Sequence, residues 1–246
     1  MLDPRVVAVM LVDGRPEMVE RAMRSFRAQT YQNADLMIFD SGDQQFFTTS
    51  GLPSVRVRPN EIRVDARQFR GSTIGVLRNA ANTVASNADI IVHWDSDDWS
   101  HRSRIKEQVD LLRWSGKDCV GYREALFWDT RPGEFDAMEA ASIDRPRDEA
   151  WIYHNGDYLF VLGTSMCYWR SAWEVCPFDD APHEDRRWWM KNAARCISKS
   201  ICGDPRLVCG IHGGNTEAYD RAVMLRSAPE WRRAPEWDEH CKKVMR

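Results

Sequence analysis

The chain has 246 residues, 43% of them hydrophobic and 29% charged, with 34 basic against 37 acidic side chains and a net charge of −3. That length and apolar share suit one large α/β domain or two small ones with a sizeable core. They exclude a disordered, collagen-like or coiled-coil chain, and the near-neutral balance gives no global field for a nucleic acid or an anionic membrane.

Val6 to Val12 is a continuous apolar run, the pattern of a strand buried on both faces. Pro16 suits a first helical position, and Met18, Val19, Ala22, Met23 and Phe26 then share one helical face. Leu36 to Phe39 reads as a second buried strand that closes on Asp40-Ser41-Gly42-Asp43, and Val55 to Val57 as a short third. Ser72 to Ser86 is helical. Ala88 to Trp94 is a strand running into Asp95-Ser96-Asp97-Asp98, and Arg104 to Trp114 is helical with Ile105, Val109 and Leu112 on one face.

Strand and helix thus alternate over the first half, which predicts an α/β fold with a mostly parallel sheet flanked by helices. Ligands of such sheets sit beyond the carboxyl ends of the strands. Three polar clusters fall there: Asp13-Gly14-Arg15, Asp40 to Asp43, and Asp95 to Asp98. The second half is less regular. Arg131 to Glu149 reads as a long loop, Trp151 to Tyr153, Phe160 to Leu162 and Met166 to Trp169 as short strands, and Ser171 to Val175 as one helical turn. Arg186 to Ala194 reads as a helix and Leu207 to Ile211 as a late strand. No clean linker interrupts the chain, which favours one domain over residues 1–246.

The seven cysteines are odd in number and form no C-x-x-C pair, so reduced thiols are expected rather than a zinc knuckle or a stapled secreted scaffold. Met1 to Arg5 is not a signal peptide, and Val6 to Val12 is too short to span a bilayer. A soluble cytoplasmic protein is the expectation.

Four constellations could carry chemistry. Asp95, Asp97 and Asp98 place three carboxylates within four residues, which repel unless a cation or solvent neutralises them. Oxygen ligands of this kind suit Mg²⁺ or Mn²⁺, ions that complete their shell with substrate phosphates. The same cluster also fits a solvated turn in which Asp98 or Ser100 caps the next helix. Gly71 to Asn79 sets two glycines before a helix that carries Arg78, a phosphate-binding combination or a helix with a surface arginine. In His183-Glu184-Asp185-Arg186-Arg187 a carboxylate could cap a helix or act as general base on a hydroxyl. His212, in Ile211-His212-Gly213-Gly214-Asn215-Thr216, could complete a metal shell or be a polar loop residue.

The order of these segments resembles that of the family 2 glycosyltransferases, from about Val6 to Thr216. Leu11 to Glu17 with Ser25 to Tyr31 is similar to the family's opening strand, turn and helix, and Ile38 to Asp43 to its second strand end. Gly75 to Ala81 resembles the glycine-to-Arg-Asn segment, and Asp89 to Trp99 the DxD strand, the most specific piece. Gly163 to Arg170 followed by Glu184-Asp185 resembles the acceptor-side segment and the ED motif; Ile211 to Thr216 is similar to the late histidine segment of small bacterial and phage members.

The resemblance implies a GT-A, Rossmann-like fold with a nucleotide-sugar half (1–115), an irregular acceptor half (116–220) and a tail (221–246). It implies an inverting, metal-dependent transfer of a single sugar from a nucleotide-sugar donor to an acceptor hydroxyl. The resemblance leaves the acceptor class open among a glycan, a lipid-linked saccharide, a protein, a small molecule and a modified DNA base. Asp95 and Asp97 would engage ribose and the divalent ion (Mn²⁺ or Mg²⁺), with Asp98 and His212 as further ligands. Arg78, Asp13 and Asp40 would support the nucleotide, and Asp185 would accept the hydroxyl proton. Ser41 stands where family members commonly carry an aspartate that reads uracil, which speaks against UDP. A sugar-phosphate nucleotidyltransferase would carry a glycine-rich basic loop after the first strand, where only Gly14 and Arg15 stand; a non-catalytic binding module would have no need of intact Asp95, Asp97 and Glu184-Asp185. Trp151, Trp169, Trp173, Trp188 and Trp189 are candidates for an acceptor platform or, more simply, for the core. The tail, with seven basic against four acidic residues, reads as a helix packed through Trp231 and Trp237 or as a contact for a membrane, nucleic acid or subunit.

Overall fold

The computed structural model describes residues 3–42, 58–130, 148–154, 160–199, 206–212, 215 and 230–246. Strand β1 (Val6–Val12) lies inside a seven-stranded sheet, as its unbroken apolar run requires. Parallel to it on either side run β2 (Ala34–Asp40) and β4 (Ile90–His93), and β3 (Glu61–Asp65) extends the parallel set beyond β2. On the other side β9 (Cys167–Trp169) pairs antiparallel with β4 and with β6 (Cys119–Tyr122), and β10 (Cys196–Lys199) closes the sheet parallel to β6. The order is β10-β6-β9-β4-β1-β2-β3.

The period-2 alternation of β1 divides the core between the two faces. Val6, Ala8, Met10 and Val12 pack against Val19, Ala22, Met23 and Phe26 of α1 (Pro16–Arg27) and against Ile105, Val109 and Leu112 of α3 (Arg104–Ser115). Val7 and Val9 face α2 (Ile74–Val84) through Leu77 and Ala81, and beyond it Trp173 of α4 (Arg170–Val175) and Trp188 and Trp189 of α5 (Glu184–Lys191). Pro16 opens α1, Glu17 lies in its first turn and Arg24 and Arg27 in its last, each matching the helix dipole.

A second sheet, order β12-β8-β7-β11-β5, is built from β5 (Trp99–Ser100), β7 (Glu124–Asp129), β8 (Glu149–His154), β11 (Leu207–Ile211) and β12 (Trp231–Arg233). The tail helix α6 (Asp238–Met245) covers one of its faces, burying Cys241 and Met245 against Leu126, Trp128, Ala150 and Val208. The described part of the tail, residues 230–246, is thus packed into the second sheet, with Trp231 on strand β12 and not on a helix.

Several expectations need correction. Phe160 to Leu162 is not a strand; the Leu162 N–H donates to the Tyr122 carbonyl and the chain then turns through a 3₁₀ segment, Gly163–Ser165. The third parallel strand is Glu61–Asp65, and Val55 to Val57 lies outside the described residues, as does most of Arg131 to Glu149, of which Glu149 begins β8. The helix expected from Arg186 starts at Glu184 and ends at Lys191, followed by a 3₁₀ turn. Trp151, Trp173, Trp188 and Trp189 are buried in the core and Trp169 packs against it, so these rings are packing rather than an open platform. The six described cysteines are unbridged, and no described helix is long and apolar enough to cross a membrane.

Candidate active site

The registers Val12↔Asp40 and Val9↔His93 bring the carboxyl ends of β2, β1 and β4 together, so the chain leaves the sheet at Asp13, Asp40 and Asp95 on one rim. Asp40 is buried and accepts the Gly42 N–H at 3.1 Å. A Cβ on Gly42 would lie 3.3 Å from an oxygen of Asp13 and 3.3 Å from one of Asp40, which places both carboxylates around this glycine. Ser41 is buried and its hydroxyl donates to the Val12 carbonyl at 3.3 Å.

The turn after β4 sorts its three carboxylates by direction. Asp95 is the most open, with 36% of its side chain exposed, and Arg78 Nη2 approaches it at 3.9 Å. Asp97 Oδ2 lies 2.9 Å from His212 Nε2, with Arg15 Nη1 at 3.5 Å from the carboxylate and 3.2 Å from the imidazole. Burial alone would raise Asp97, but the His212 hydrogen bond and the charges of Arg15 and His212 outweigh it and hold the carboxyl below its usual range. Asp98 points inward. Its two oxygens accept the Thr164 hydroxyl at 2.7 Å and the Gly210 N–H at 3.2 Å. Burial, then the charges of Asp97 and Asp95, push it up to about 8. It does not cap the following helix; Ser103 holds that position.

Two arginines, Arg21 half-buried and Arg104 buried, hold this region through backbone carbonyls. Arg21 of α1 donates to the Asp97 carbonyl at 2.6 Å and to that of Met245 at 2.6 Å, tying the turn to the tail helix. Arg104 of α3, 1% exposed, donates to the carbonyls of His93 at 2.8 Å and Thr164 at 2.7 Å.

α5 presents Glu184 and Asp185 in its first turn. Glu184 is buried and accepts Arg78 Nε at 3.0 Å. Arg78, only 6% exposed, is therefore no surface arginine; it joins Glu184 to Asp95, and its Nη1 is buried with no hydrogen-bond partner. The close approach of α2 to α5 that permits this contact needs Gly75: a Cβ there would lie 2.0 Å from the Asp179 carbonyl oxygen. Asp185 accepts the Arg186 N–H at 2.7 Å through one oxygen, and its other oxygen lies against Gly163. Burial, then the neighbouring Glu184 charge, raise it above the ordinary carboxylate range.

Gly163 and Thr164 thus join the two walls, since Asp185 lies on the first and Asp98 is bonded by the second. Beneath them, buried His93 lies 2.8 Å from the Gly163 carbonyl and 3.3 Å from the Tyr168 hydroxyl. Burial and the Arg78 charge lower its pKa well below the usual value, so it stays neutral. His212 is held by Asn215, whose side chain accepts the His212 N–H at 2.6 Å and donates to the Gly210 carbonyl at 2.8 Å.

Of the residues expected from sequence, Asp13 and Asp40 border Gly42, Asp97 meets His212, and Arg78 links Asp95 to the Glu184-Asp185 pair; Asp43 falls outside the described residues. Three participants were not singled out from the sequence, Arg21, Arg104 and Thr164, and Arg15 was read only as a member of the Asp13-Gly14-Arg15 cluster. No set of three or more His, Cys, Asp or Glu side chains among the described residues is arranged to hold a metal ion. The pair Asp97–His212 nonetheless offers one carboxylate oxygen and one imidazole nitrogen facing the same point, with a cationic group already beside both. That donor set fits Mn²⁺ or Mg²⁺, which take few protein ligands and draw the rest from phosphates and water.

The family model for glycosyl transferase family 2 matches residues 8–162. No protein of curated function matches the chain. Among solved structures, the chain is similar to the mannosyltransferase PcManGT from Pyrobaculum calidifontis in complex with GDP-Man and Mn²⁺, with a TM-score of 0.60 and 16% identity over 99% of this chain and 70% of that one. It is also similar to S. aureus TarS. The 1–349 fragment in complex with UDP-GlcNAc superposes with a TM-score of 0.58 and 12% identity, over 98% of this chain and 70% of the fragment. Against the longer TarS chain the TM-score is 0.57 at 12% identity, over 84% of this chain and 37% of TarS, so the chain spans well under half of that protein. These likenesses, with the parallel-dominated sheet, establish a GT-A fold.

Proposed function

The chain belongs to glycosyl transferase family 2, and from that membership we propose that it is an inverting, metal-dependent glycosyltransferase moving one sugar from a nucleotide-sugar donor to an acceptor hydroxyl. The observation that supports the proposal is the chain of contacts linking Asp185 to the Asp95–Asp98 turn: Asp185 lies against Gly163, the next residue Thr164 bonds Asp98, and Arg78 joins Glu184 to Asp95.

In this reading Asp13 and Asp40 border the nucleoside, and Asp95 takes the ribose. Arg78 turns its unpaired Nη1 to a donor oxygen. Asp97 and His212 hold the divalent ion, which when bound neutralises the departing diphosphate as a Lewis acid. Asp98, with both oxygens already engaged, braces the turn instead of ligating. Asp185 accepts the proton of the acceptor hydroxyl as that oxygen attacks the anomeric carbon, a role its raised proton affinity suits. A single displacement of this kind inverts the anomeric centre.

PcManGT was solved with GDP-Man and the TarS fragment with UDP-GlcNAc, and the buried Ser41 supplies no base contact that would select uracil. The test is a thermal-shift panel of UDP, GDP, CDP and dTDP sugars with Mn²⁺. A donor at a hundred times its Kd stabilises the native state by about 2.7 kcal/mol, roughly 5–10 °C for a chain of this length. No shift with any of the four nucleotides would overturn the proposal.

A further inference from the structure

His93 ends β4 and is 1% exposed. Its ring stands edge-on to Tyr168, with centroids 5.4 Å apart at 89°, and lies 5.6 Å from that of Phe178. Nδ1 lies 2.8 Å from the Gly163 carbonyl. A carbonyl only accepts, so Nδ1 carries a proton and donates it, whatever the charge of the ring. The opposite edge is closed as well: Nε2 lies 3.3 Å from the Tyr168 hydroxyl, to which Asn82 donates at 2.9 Å. The ring cannot turn without giving up both contacts.

Gly163 is the residue that meets Asp185. Because it has no Cβ, Oδ2 of Asp185 rests where a methyl carbon would lie 1.7 Å away, and the carboxylate sits directly on this stretch of backbone. A turn of the Gly163 peptide therefore changes where the carboxylate can lie. The following carbonyl, that of Thr164, is held separately by Arg104 at 2.7 Å. Without His93, the donor left to the Gly163 carbonyl among the described residues is the Met166 N–H at 3.2 Å.

Resting on the assignment of Asp185 as the base above, we propose that His93 is a positioning residue for it: by holding the Gly163 carbonyl it fixes where the Asp185 carboxylate lies, from a buried place beneath the cleft. A misplacement on the order of 1 Å at a reacting group costs roughly a hundredfold in rate, so His93 acts on kcat and not on donor binding. Its two edges can be tested apart. The side-chain amide of asparagine occupies the place of Nδ1, and that of glutamine the place of Nε2. His93→Asn keeps the donor to Gly163; His93→Gln keeps only the partner of Tyr168; His93→Leu keeps neither.

The experiment labels the full chain with ¹³C at its aspartate carboxyls and follows the Asp185 signal, assigned by its loss in Asp185→Asn. The same proteins are assayed for nucleoside diphosphate release from UDP, GDP, CDP and dTDP sugars with Mn²⁺, water standing in for the acceptor hydroxyl. Circular dichroism checks folding, and either His93→Gln or His93→Leu suffices. The expected result is a displaced Asp185 signal and a kcat about a hundredfold lower in His93→Gln and His93→Leu, at unchanged donor KM. In His93→Asn the signal should coincide with that of wild type and at least about a tenfold part of the lost rate should return. An unmoved Asp185 signal in folded His93→Gln or His93→Leu overturns the inference. So do equal losses in His93→Asn and His93→Gln that follow their melting temperatures, as a merely structural role requires. Wild type that releases no nucleoside diphosphate from any of the four donors overturns the glycosyltransferase reading instead, and the carboxyl signal alone then decides whether His93 places Asp185.

Discussion

Gly163→Ala should disable transfer with little effect on folding. Gly163 is not among the glycines with positive φ, so alanine can adopt its backbone. The new methyl carbon, however, would lie 1.7 Å from Asp185 Oδ2, and ordinary contact begins at 3.4 Å. The carboxylate oxygen must therefore retreat by about 1.7 Å, which rotation of this short side chain allows, and Asp185 Cγ and Cβ, at 2.7 and 3.1 Å from the same carbon, must give way with it. A displacement on the order of 1 Å costs roughly a hundredfold in rate, and a positioned general base contributes ~10²–10⁴. The kcat should thus fall by at least about 10², with the donor's KM changed little, because in the proposed function Asp185 meets the acceptor and not the nucleotide. The assay is steady-state release of nucleoside diphosphate, with the melting temperature recorded in parallel. Wild-type kcat in a folded Gly163→Ala protein would refute the placement of Asp185 as the base.

Two other substitutions probe the charges beneath the cleft. Arg78→Ala leaves Glu184 buried without its partner, which should cost about 3–5 kcal/mol, and Arg78→Met/Glu184→Leu should recover most of it; chemical denaturation reads both, and a single-variant loss below about 1 kcal/mol contradicts the reading. Asp98, with its pKa at about 8, binds a proton in the native state that the unfolded chain gives up near pH 4. Stability should therefore fall as pH rises from there to about 8, by up to ~1.4 kcal/mol per pH unit. Asp98→Asn, which mimics the protonated form, should be more stable than wild type at pH 8 in metal-free buffer and close to it at pH 4.5. Parallel stability curves for the two proteins would show that Asp98 is ionised in the fold.

The sequence disclosed what repeats or is buried on both sides. Val6–Val12 and α3 were legible because every strand residue is apolar and Ile105, Val109 and Leu112 keep helical spacing. Strand β3, Glu-Ile-Arg-Val-Asp, was missed because it ends the sheet and mixes charge with its apolar residues, and β6 and β10 because four residues are too few to show a period. Phe160 to Leu162 misled in the other direction: apolar content there serves packing, not a ladder. In the site, Asp95, Asp97 and His212 were visible as residue types at strand ends, and Asp185 at the start of a helix. Asp98 looked the same as its neighbours, yet the turn directs it inward, and no local pattern records that. Arg21, Arg78 and Arg104 resemble solvated helix positions in sequence. Their burial follows from partners far along the chain, such as Asp97 for Arg21, Glu184 for Arg78 and Thr164 for Arg104.

The most direct measurement takes whichever nucleotide sugar stabilises the protein and compares Mn²⁺-dependent nucleotide binding with nucleoside diphosphate release in wild type, Asp97→Asn and Asp185→Asn. If one cleft joins a cation site at Asp97 to a proton acceptor at Asp185, Asp97→Asn loses both binding and release. Asp185→Asn keeps metal-dependent binding and loses release. Full release in EDTA, or an Asp185→Asn enzyme that turns over at the wild-type rate, would contradict it.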